Sequence, residues 1–394
     1  MRIYLDHNAG SPLRPAVREA LRAFIERGPH ANPASVHRDG QLARRELERA
    51  RERVAALIGA PPRDVVFTSG GTEANNLALF GAAVASPVRR QIVTTALEHS
   101  SILEPLAELE KQGFGVARLL PDSEGLVDPD LLASRIDAAT ALVTIGLVNA
   151  EVGAVQAMGA IAAATRRAGA LLHLDAAQAA GRIPLRVDEL GCDRLTLSAH
   201  KLGGPPGIGA LYIRPGTPLA PRMLGGPQEG GRRAGTPNLP GAIGFGVAAE
   251  DAMSRQDEER HRIAEWSRQL LAELGRAIPG LRLNGPPARR VPNTLNLTFP
   301  GVLGETMLMA LDLEGIEVSM GSACAAGAVE PSHVLLAMGC DAAAARSSLR
   351  LSLGWSTTAA EIDAAIATIP RVWRRVVAAE PIPAVAPTPG AELR

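Results

Sequence analysis

The sequence predicts an α/β protein: a large domain with a mostly parallel sheet covered by helices, followed by a smaller α+β domain. Three observations carry that expectation. Short aliphatic or β-branched runs alternate with helix-length stretches from about residue 50 to 250. Those runs are continuously apolar, as in strands buried on both faces of a parallel sheet. Beyond an arginine- and glutamate-rich helical stretch at 251–277 the rhythm changes to strands scattered among helices. A chain of 394 residues, 46% hydrophobic, is long enough for two packed cores.

Taken in order, Val65-Val66-Phe67-Thr68 reads as a strand that passes through a glycine turn into a helix containing Glu73-Ala74-Asn75-Asn76-Leu77-Ala78-Leu79. Further strands are expected at Ile92–Thr94, Ala141–Ile145, Leu171–Asp175 and Arg194–Ser198. Lys111, in Glu108-Leu109-Glu110-Lys111-Gln112, reads as a solvated helix end. After the helix at 251–277 come strands at Thr294–Phe299, Ile316–Val318 and Leu349–Leu353. The large domain is therefore placed at 14–255 and the small one at 1–13 with 256–378. The proline- and alanine-rich stretch from Glu380 to Pro387 predicts a disordered tail over 379–394.

The charge balance is 41 basic against 41 acidic residues, with no lysine-rich run, which argues against nucleic acid or an anionic membrane as partner. No apolar run is long enough for a membrane span, and Met1-Arg2-Ile3-Tyr4-Leu5-Asp6 lacks a signal peptide's apolar core. Cys192, Cys324 and Cys340 form no CxxC pair and no zinc-ligand spacing, so no metal is expected. So few cysteines, odd in number, fit a reducing cytoplasm in which a special cysteine acts as a reactive thiol.

Only two of the 41 basic residues are lysines, Lys111 and Lys201. Arginine keeps its proton, whereas a lysine of lowered pKa condenses with a carbonyl, so Lys201 is a candidate for covalent chemistry. Three strand ends surround it with further chemistry. Phe67-Thr68-Ser69-Gly70-Gly71-Thr72-Glu73 is either a plain tight turn or a phosphate cradle built from a helix start. Leu174-Asp175-Ala176-Ala177-Gln178 ends a strand on a carboxylate that either caps a helix or pairs with a buried cation. Leu197-Ser198-Ala199-His200-Lys201 is followed by Gly203-Gly204-Pro205-Pro206-Gly207, whose glycines admit close backbone approach. Together they supply what pyridoxal phosphate needs: an anion cradle, an acid for the ring nitrogen and an amine for the aldehyde.

Asp6-His7-Asn8-Ala9, Asn32-Pro33-Ala34-Ser35-Val36-His37, the stretch Ser69–Asn76, Glu98-His99-Ser100-Ser101 and Ser198–Lys201 together resemble a cysteine desulfurase. So do Gly225–Glu229 with Arg233–Thr236, Gly321-Ser322-Ala323-Cys324 and Arg346–Arg350. The resemblance runs from residue 3 to about 375. It is to the fold-type I pyridoxal-phosphate enzymes of nitrogenase and iron–sulfur-cluster assembly, in their long-loop group.

The resemblance implies that Lys201 carries the cofactor as a Schiff base and moves the Cα proton. Asp175 then keeps the pyridine nitrogen protonated, Gln178 touches the ring hydroxyl, and His99 stacks on the ring and acts as an acid/base. Gly71, Thr72, Ser198 and His200 bind the phosphate, with Thr236 reaching it from the partner subunit of a homodimer. Arg350 clamps the substrate carboxylate, with Asn149 and Asn8 nearby. Cys324, in a segment of small residues that reads as a mobile loop, takes the substrate sulfur as a persulfide and passes it to an acceptor protein such as a cluster scaffold. The implied reaction converts L-cysteine to L-alanine. A selenocysteine lyase, a related pyridoxal-phosphate lyase or a non-catalytic regulatory homologue are the alternatives. His7, Gly10-Ser11, Ala150 and Gly230 depart from the usual pattern. Cys192 and Cys340 are expected to be structural, and His30, His173, His261 and His333 to be surface or core-bonded rings.

Overall fold

The computed structural model describes residues 2–86, 88–321 and 330–379. Its strands, in chain order, are β1 (Ile3–Tyr4), β2 (Val65–Thr68), β3 (Gln91–Thr95), β4 (Gly115–Leu119), β5 (Thr140–Gly146) and β6 (Leu171–Asp175). They continue as β7 (Arg194–Ser198), β8 (Gly209–Ile213), β9 (Arg282–Asn284), β10 (Thr294–Thr298), β11 (Ile316–Glu317) and β12 (Ser348–Ser352). Seven of them form one sheet in the order β2-β8-β7-β6-β5-β3-β4. Only β8 runs antiparallel to its neighbours; the remaining pairs are parallel. Strands β7 and β8 are buried along their whole length, while the edge strand β4 is mostly open and carries Arg118.

The expected strands of the sheet are all present, but β4 and β8 were not anticipated. β8 is antiparallel because only Ala199–Ile208 connects it to β7, too short for a parallel crossover. Its presence turns β2 parallel to β7, so β2, β3, β5, β6 and β7 all point their carboxyl ends to one edge. The order reverses around β3, which β4 and β5 flank, and α/β sheets bind ligands outside such a switch point.

A second sheet, β12-β10-β9, is antiparallel, and β1 pairs in parallel with β11. Its core contains Leu5, Leu295, Leu297, Leu349, Leu351 and Ile369. Residues near the start of the chain are thus built into a core whose other members lie beyond residue 260. The helix expected at 251–277 is longer, Leu239–Ala277, about 58 Å at 1.5 Å per residue. Asn238 caps it by accepting from Gly241 N. Its first turns were hidden by glycines of low helix propensity, which are there for contact. A Cβ on Gly246 would stand 2.9 Å from Ala50 Cα, and one on Gly244 2.8 Å from Pro205 Cγ. The helix gives Ala242, Phe245 and Ala249 to the first core and Ile263, Leu270 and Leu274 to the second.

Lys111 closes the helix Ser100–Lys111 with its side chain in solvent, as expected. Ala379, read as the start of the tail, instead ends the helix Ala359–Ala379; 380–394 lie outside the described residues. No helix among the described residues is long and apolar enough to cross a membrane.

One buried ion pair fastens the loop ahead of the long helix to the sheet. Arg51 donates to both oxygens of Glu229, at 2.6 and 2.9 Å, and Glu229 also accepts from Phe67 N at 2.9 Å. Glu229 holds a left-handed backbone, φ 49°, unusual for a residue with a side chain. Removing Glu229 leaves the buried Arg51 with only the half-exposed Glu48 carboxylate and the Val65 carbonyl, a poorly compensated buried charge. Glu229→Ala is therefore expected to cost about 3–5 kcal/mol in denaturant unfolding, and the apolar double variant Arg51→Met/Glu229→Leu to cost less than either single change.

Candidate active site

The parallel strands deliver polar groups to one edge. From β7, the chain turns through Ala199–Lys201, and the Lys201 Nζ donates to the carbonyls of Asn8 (2.6 Å) and Ala9 (2.9 Å). The strap 6–11 is tied to the same turn, because Ser11 N donates to His200 O (2.8 Å) and Ser11 Oγ to Lys201 O (3.3 Å). Burial lowers the Lys201 amine to about 8, with Arg182 and Arg350 adding to the effect and Asp6 and Asp175 opposing it. His200, whose Nδ1 is 3.0 Å from Ser198 Oγ, is pushed by burial and then by Lys201 to about 4, so it is a neutral imidazole at pH 7.

At the end of β6, Asp175 Oδ1 accepts from Ala177 N (2.9 Å) and Oδ2 from Asn75 Nδ2 (2.8 Å). The aspartate caps its turn while keeping its carboxylate in the cluster. Asn75 also donates to Ser101 Oγ (2.8 Å), which lies 2.8 Å from His99 Nδ1. That Nδ1 accepts from Ser101 N (3.0 Å), which assigns the neutral ring's proton to Nε2. Partial burial lowers the His99 pKa against the pull of Asp175, and Lys201 and His333 push it the same way as burial. Asp175, Asn75, Ser101 and His99 form one chain of polar groups, of which Asn75 and Ser101 were not singled out in the sequence. Their signal was present only as polar residues on buried helix faces.

Glu98, beside His99, is buried; it accepts from Thr95 Oγ1 (2.7 Å) and Gly146 N (2.8 Å). Burial, with Asp175 adding, pushes its carboxyl up to about 8. The helix Gly71–Ala85 starts after Gly70 with no side chain capping it, which leaves its first backbone N–H groups for an anion. Thr72 lies in that first turn. A Cβ on Gly71 would stand 3.4 Å from Ser198 Cβ, so the glycine turn and the Ser198–Lys201 turn are neighbours. Thr236 is exposed in the loop before the long helix, and no hydrogen bond among the described residues joins it to this cluster.

Arg350, on β12, donates to Asp6 Oδ1 (2.7 Å) and Ala150 O (3.3 Å), while its buried Nε has no partner among the described residues. Asn8 and Asn149 are committed to the chain itself. Asn8 donates to Ala150 O and Thr294 Oγ1 and accepts from Asn293. Asn149 accepts from Glu151 N and Val152 N and donates to Leu97 O. Their amides shape the edge of the site, and Asn8 meets Lys201 through its backbone carbonyl. Gln178 Nε2 also donates to Asn8 O (3.0 Å), and its Oε1 accepts from Arg182. Arg182, absent from the expected site, has no carboxylate partner among the described residues; burial and then Arg350 lower it to about 9.

His7 is buried, with Nδ1 3.1 Å from Ser11 Oγ; burial, Arg182 and Arg14 push it down to about 3. His173 is a core ring between Thr144 and Thr196, as expected. His333 bonds Glu98 O at 3.1 Å, which brings it to the margin of the site. Cys324 lies outside the described residues. Burial raises the Cys192 thiol to about 12 and raises that of Cys340, so neither is a ready thiolate.

The profile of the aminotransferase class-V family matches residues 3–365. The chain is 42% identical over 371 residues to "Cysteine desulfurase IscS" of Dictyoglomus turgidum, covering 94% of each protein. Among solved structures, it resembles a "NIFS-LIKE PROTEIN" at 35% identity and TM-score 0.90, covering 95% of this chain and 100% of that one. It also resembles one titled "SspA in complex with cysteine", at 33% identity and TM-score 0.80, covering 89% of this chain and 98% of that one.

The Lys201 amine makes the stability of the cofactor-free protein depend on pH. Its folded pKa, about 8, lies below a lysine's ordinary 10.5, so the unfolded chain binds the extra proton between them. The cost is full below pH 8 and is relieved as pH rises to 10.5. Relative to Lys201→Met, the cofactor-free protein should gain on the order of 3 kcal/mol across that window in urea unfolding; parallel curves for the two proteins would contradict the assignment.

Proposed function

The chain belongs to the aminotransferase class-V family, among the cysteine desulfurases, and from that membership we propose that it uses pyridoxal phosphate to convert L-cysteine to L-alanine, with the sulfur passing to Cys324 as a persulfide. The observation that carries the reading is the meeting of a lysine amine lowered to about 8, a strand-end carboxylate and an uncapped helix start at one sheet edge. These residues fit the cofactor. The bare Gly70–Gly71 turn leaves room and N–H donors for a phosphate. Gly209 is held to the same thinness, since a Cβ there would stand 2.5 Å from the Gly70 carbonyl carbon. The orphaned Oδ1 of Asn75 marks a further unmet polar group beside Asp175.

When bound, pyridoxal phosphate supplies an electron sink that loosens first the Cα hydrogen and then the carbon–sulfur bond of L-cysteine. Gly71, Thr72, Ser198 and His200 bind the phosphate. Asp175, pinned by Asn75 and Ala177, would hold a proton on the ring nitrogen, and Gln178 would be the partner of the ring hydroxyl. Lys201 would hold the aldehyde carbon and, with its amine lowered to about 8 and so partly deprotonated near neutral pH, would move the Cα proton. The carbonyls of Asn8 and Ala9 receive its Nζ whenever it is released. His99, its Nδ1 occupied by Ser101, would stack on the bound ring with its Nε2–H available to the substrate sulfur. Arg350 takes the substrate carboxylate through the donors that Asp6 does not occupy. The Cys324 thiolate forms the S–S bond as the Cβ–S bond breaks, and the bonding pair stays with carbon until a proton completes alanine.

The protein acts as a homodimer, with Thr236 of one subunit reaching the other's phosphate, and delivers sulfur to an acceptor protein in the cytoplasm. The structural relative solved with cysteine supports the choice of substrate. With L-cysteine and a reductant, alanine and sulfide should form in equal amounts, and Cys324→Ala should abolish both. Alanine production that persists in Cys324→Ala would replace the persulfide route by a lyase reaction such as that on selenocysteine. Lys201→Arg should keep a positive charge and lose at least a thousandfold in turnover, being unable to act as the base or hold the aldehyde; normal turnover would refute its role.

A further inference from the structure

Gly321, the last described residue before the Cys324 segment, and Ser332, two residues beyond Glu330 where the described chain resumes, meet at a single buried side chain. Glu151 is 5% exposed, and its Oε2 accepts the hydroxyl of Ser332. Gly321 is packed against that same oxygen so closely that a Cβ would stand 2.6 Å from it, and its φ of 90° is one that glycine alone adopts easily. On the near side, Gly321 N donates to Ser319 Oγ (3.2 Å), and Ser319 pairs through its backbone with Arg350. On the far side, Ser332 caps the helix His333–Ala337, whose first residue bonds Glu98 O.

Glu151 is itself held by the active-site edge. Its N–H donates to Asn149 Oδ1 (2.9 Å), its carbonyl accepts from Asn296 Nδ2 (3.4 Å), and Arg350 bonds the preceding carbonyl. Burial raises its pKa, against the Ser332 bond and the nearby His333 and Arg350 charges. A buried carboxyl with a costly environment is kept here where a small apolar residue would also fill the space.

We propose that Glu151 is a positioning residue for sulfur transfer, whose one carboxyl oxygen fixes both ends of the segment bearing Cys324 relative to Lys201 and Arg350. The inference rests on the persulfide reading above. The role separates the two halves of the reaction. Hydrogen exchange at Cα, which needs Lys201 and no thiol, does not require those ends to be held; attack on the substrate sulfur does.

The test uses holoenzyme with Glu151→Ala, Glu151→Gln and Ser332→Ala. For Glu151→Ala, visible cofactor absorbance and the rate of Cα hydrogen–deuterium exchange on L-alanine should stay within twofold of wild type. Single-turnover persulfide formation on Cys324 should fall at least tenfold, with kcat lowered and KM for L-cysteine little changed. Glu151→Gln, which retains an acceptor for Ser332, should recover most of the loss. Ser332→Ala should show the same split more weakly and serves if Glu151→Ala does not fold. Persulfide formation within threefold of wild type, an equal fall in both halves, or no recovery with Gln would overturn the proposal. A wild-type enzyme that exchanges Cα hydrogen but forms no Cys324 persulfide would overturn the reading beneath it as well.

Discussion

Everything at the site depends on five strands sharing a direction. A parallel strand ends where its backbone leaves the ladder, so side chains and unpaired N–H groups collect along one edge. Here β2 contributes the glycine turn, β3 leads to Glu98 and His99, β5 to Asn149 and Glu151, β6 to Asp175, and β7 to Lys201. The register sets Gly146 opposite Asp175, so β5 and β6 end level, and Asp175 opposite Thr196, so β7 runs two residues further. The antiparallel β8 preserves this arrangement, because it allows the distant β2 to join the sheet in the same direction as β7. Without it the helix start at Gly71 would face the opposite edge.

Charge at that edge is deliberately unbalanced. Burial first lowers the Lys201 amine, the Arg182 and Arg350 charges add to the effect, and Asp6 and Asp175 oppose it. An incoming anion settles this excess of cation, and the amine is already close to losing its proton. Glu98 shows the converse: with no cation at bonding distance among the described residues, its carboxyl is driven up to about 8 and held by Thr95 and Gly146. Buried groups of the two signs are thus kept near their neutral forms by the same lack of water.

Much of this was legible in the sequence because the chemistry sits where local pattern is strongest. Leu171–Asp175 and Arg194–Ser198 match their strands residue for residue, since both carry buried leucines and end on a polar group. β8, Gly-Ala-Leu-Tyr-Ile, was missed because it starts on glycine directly after a glycine-rich turn. The first turns of the long helix were missed because their glycines serve packing against Ala50 and Pro205, a tertiary demand invisible to propensity. Asn75, Ser101 and Glu151 share another cause. Each acts through a partner far away in sequence, as with Asn75 and Asp175 at a separation of 100 residues. Asn8 and Asn149 stand at the expected edge, but their amides bond the chain, a distinction only coordinates make.

The strap at residues 6–11 binds in two directions, to the Lys201 turn and to β12, where Asn8 N donates to Ser352 Oγ across 344 residues. On a ribosome, the strap emerges well before its β12 partner, 344 residues further along. Contacts of such separation form late, after the local helices and the central sheet have collapsed. The carbonyls that receive the lysine amine are therefore not in place while the large sheet is still a nascent structure. A chain truncated before residue 352 would have the strand ends of the site yet lack the embrace around its amine. Synthesis thus has a built-in order: the Lys201 amine is housed only once β12 has emerged, so its hydrogen bonds to Asn8 and Ala9 report that both cores have formed.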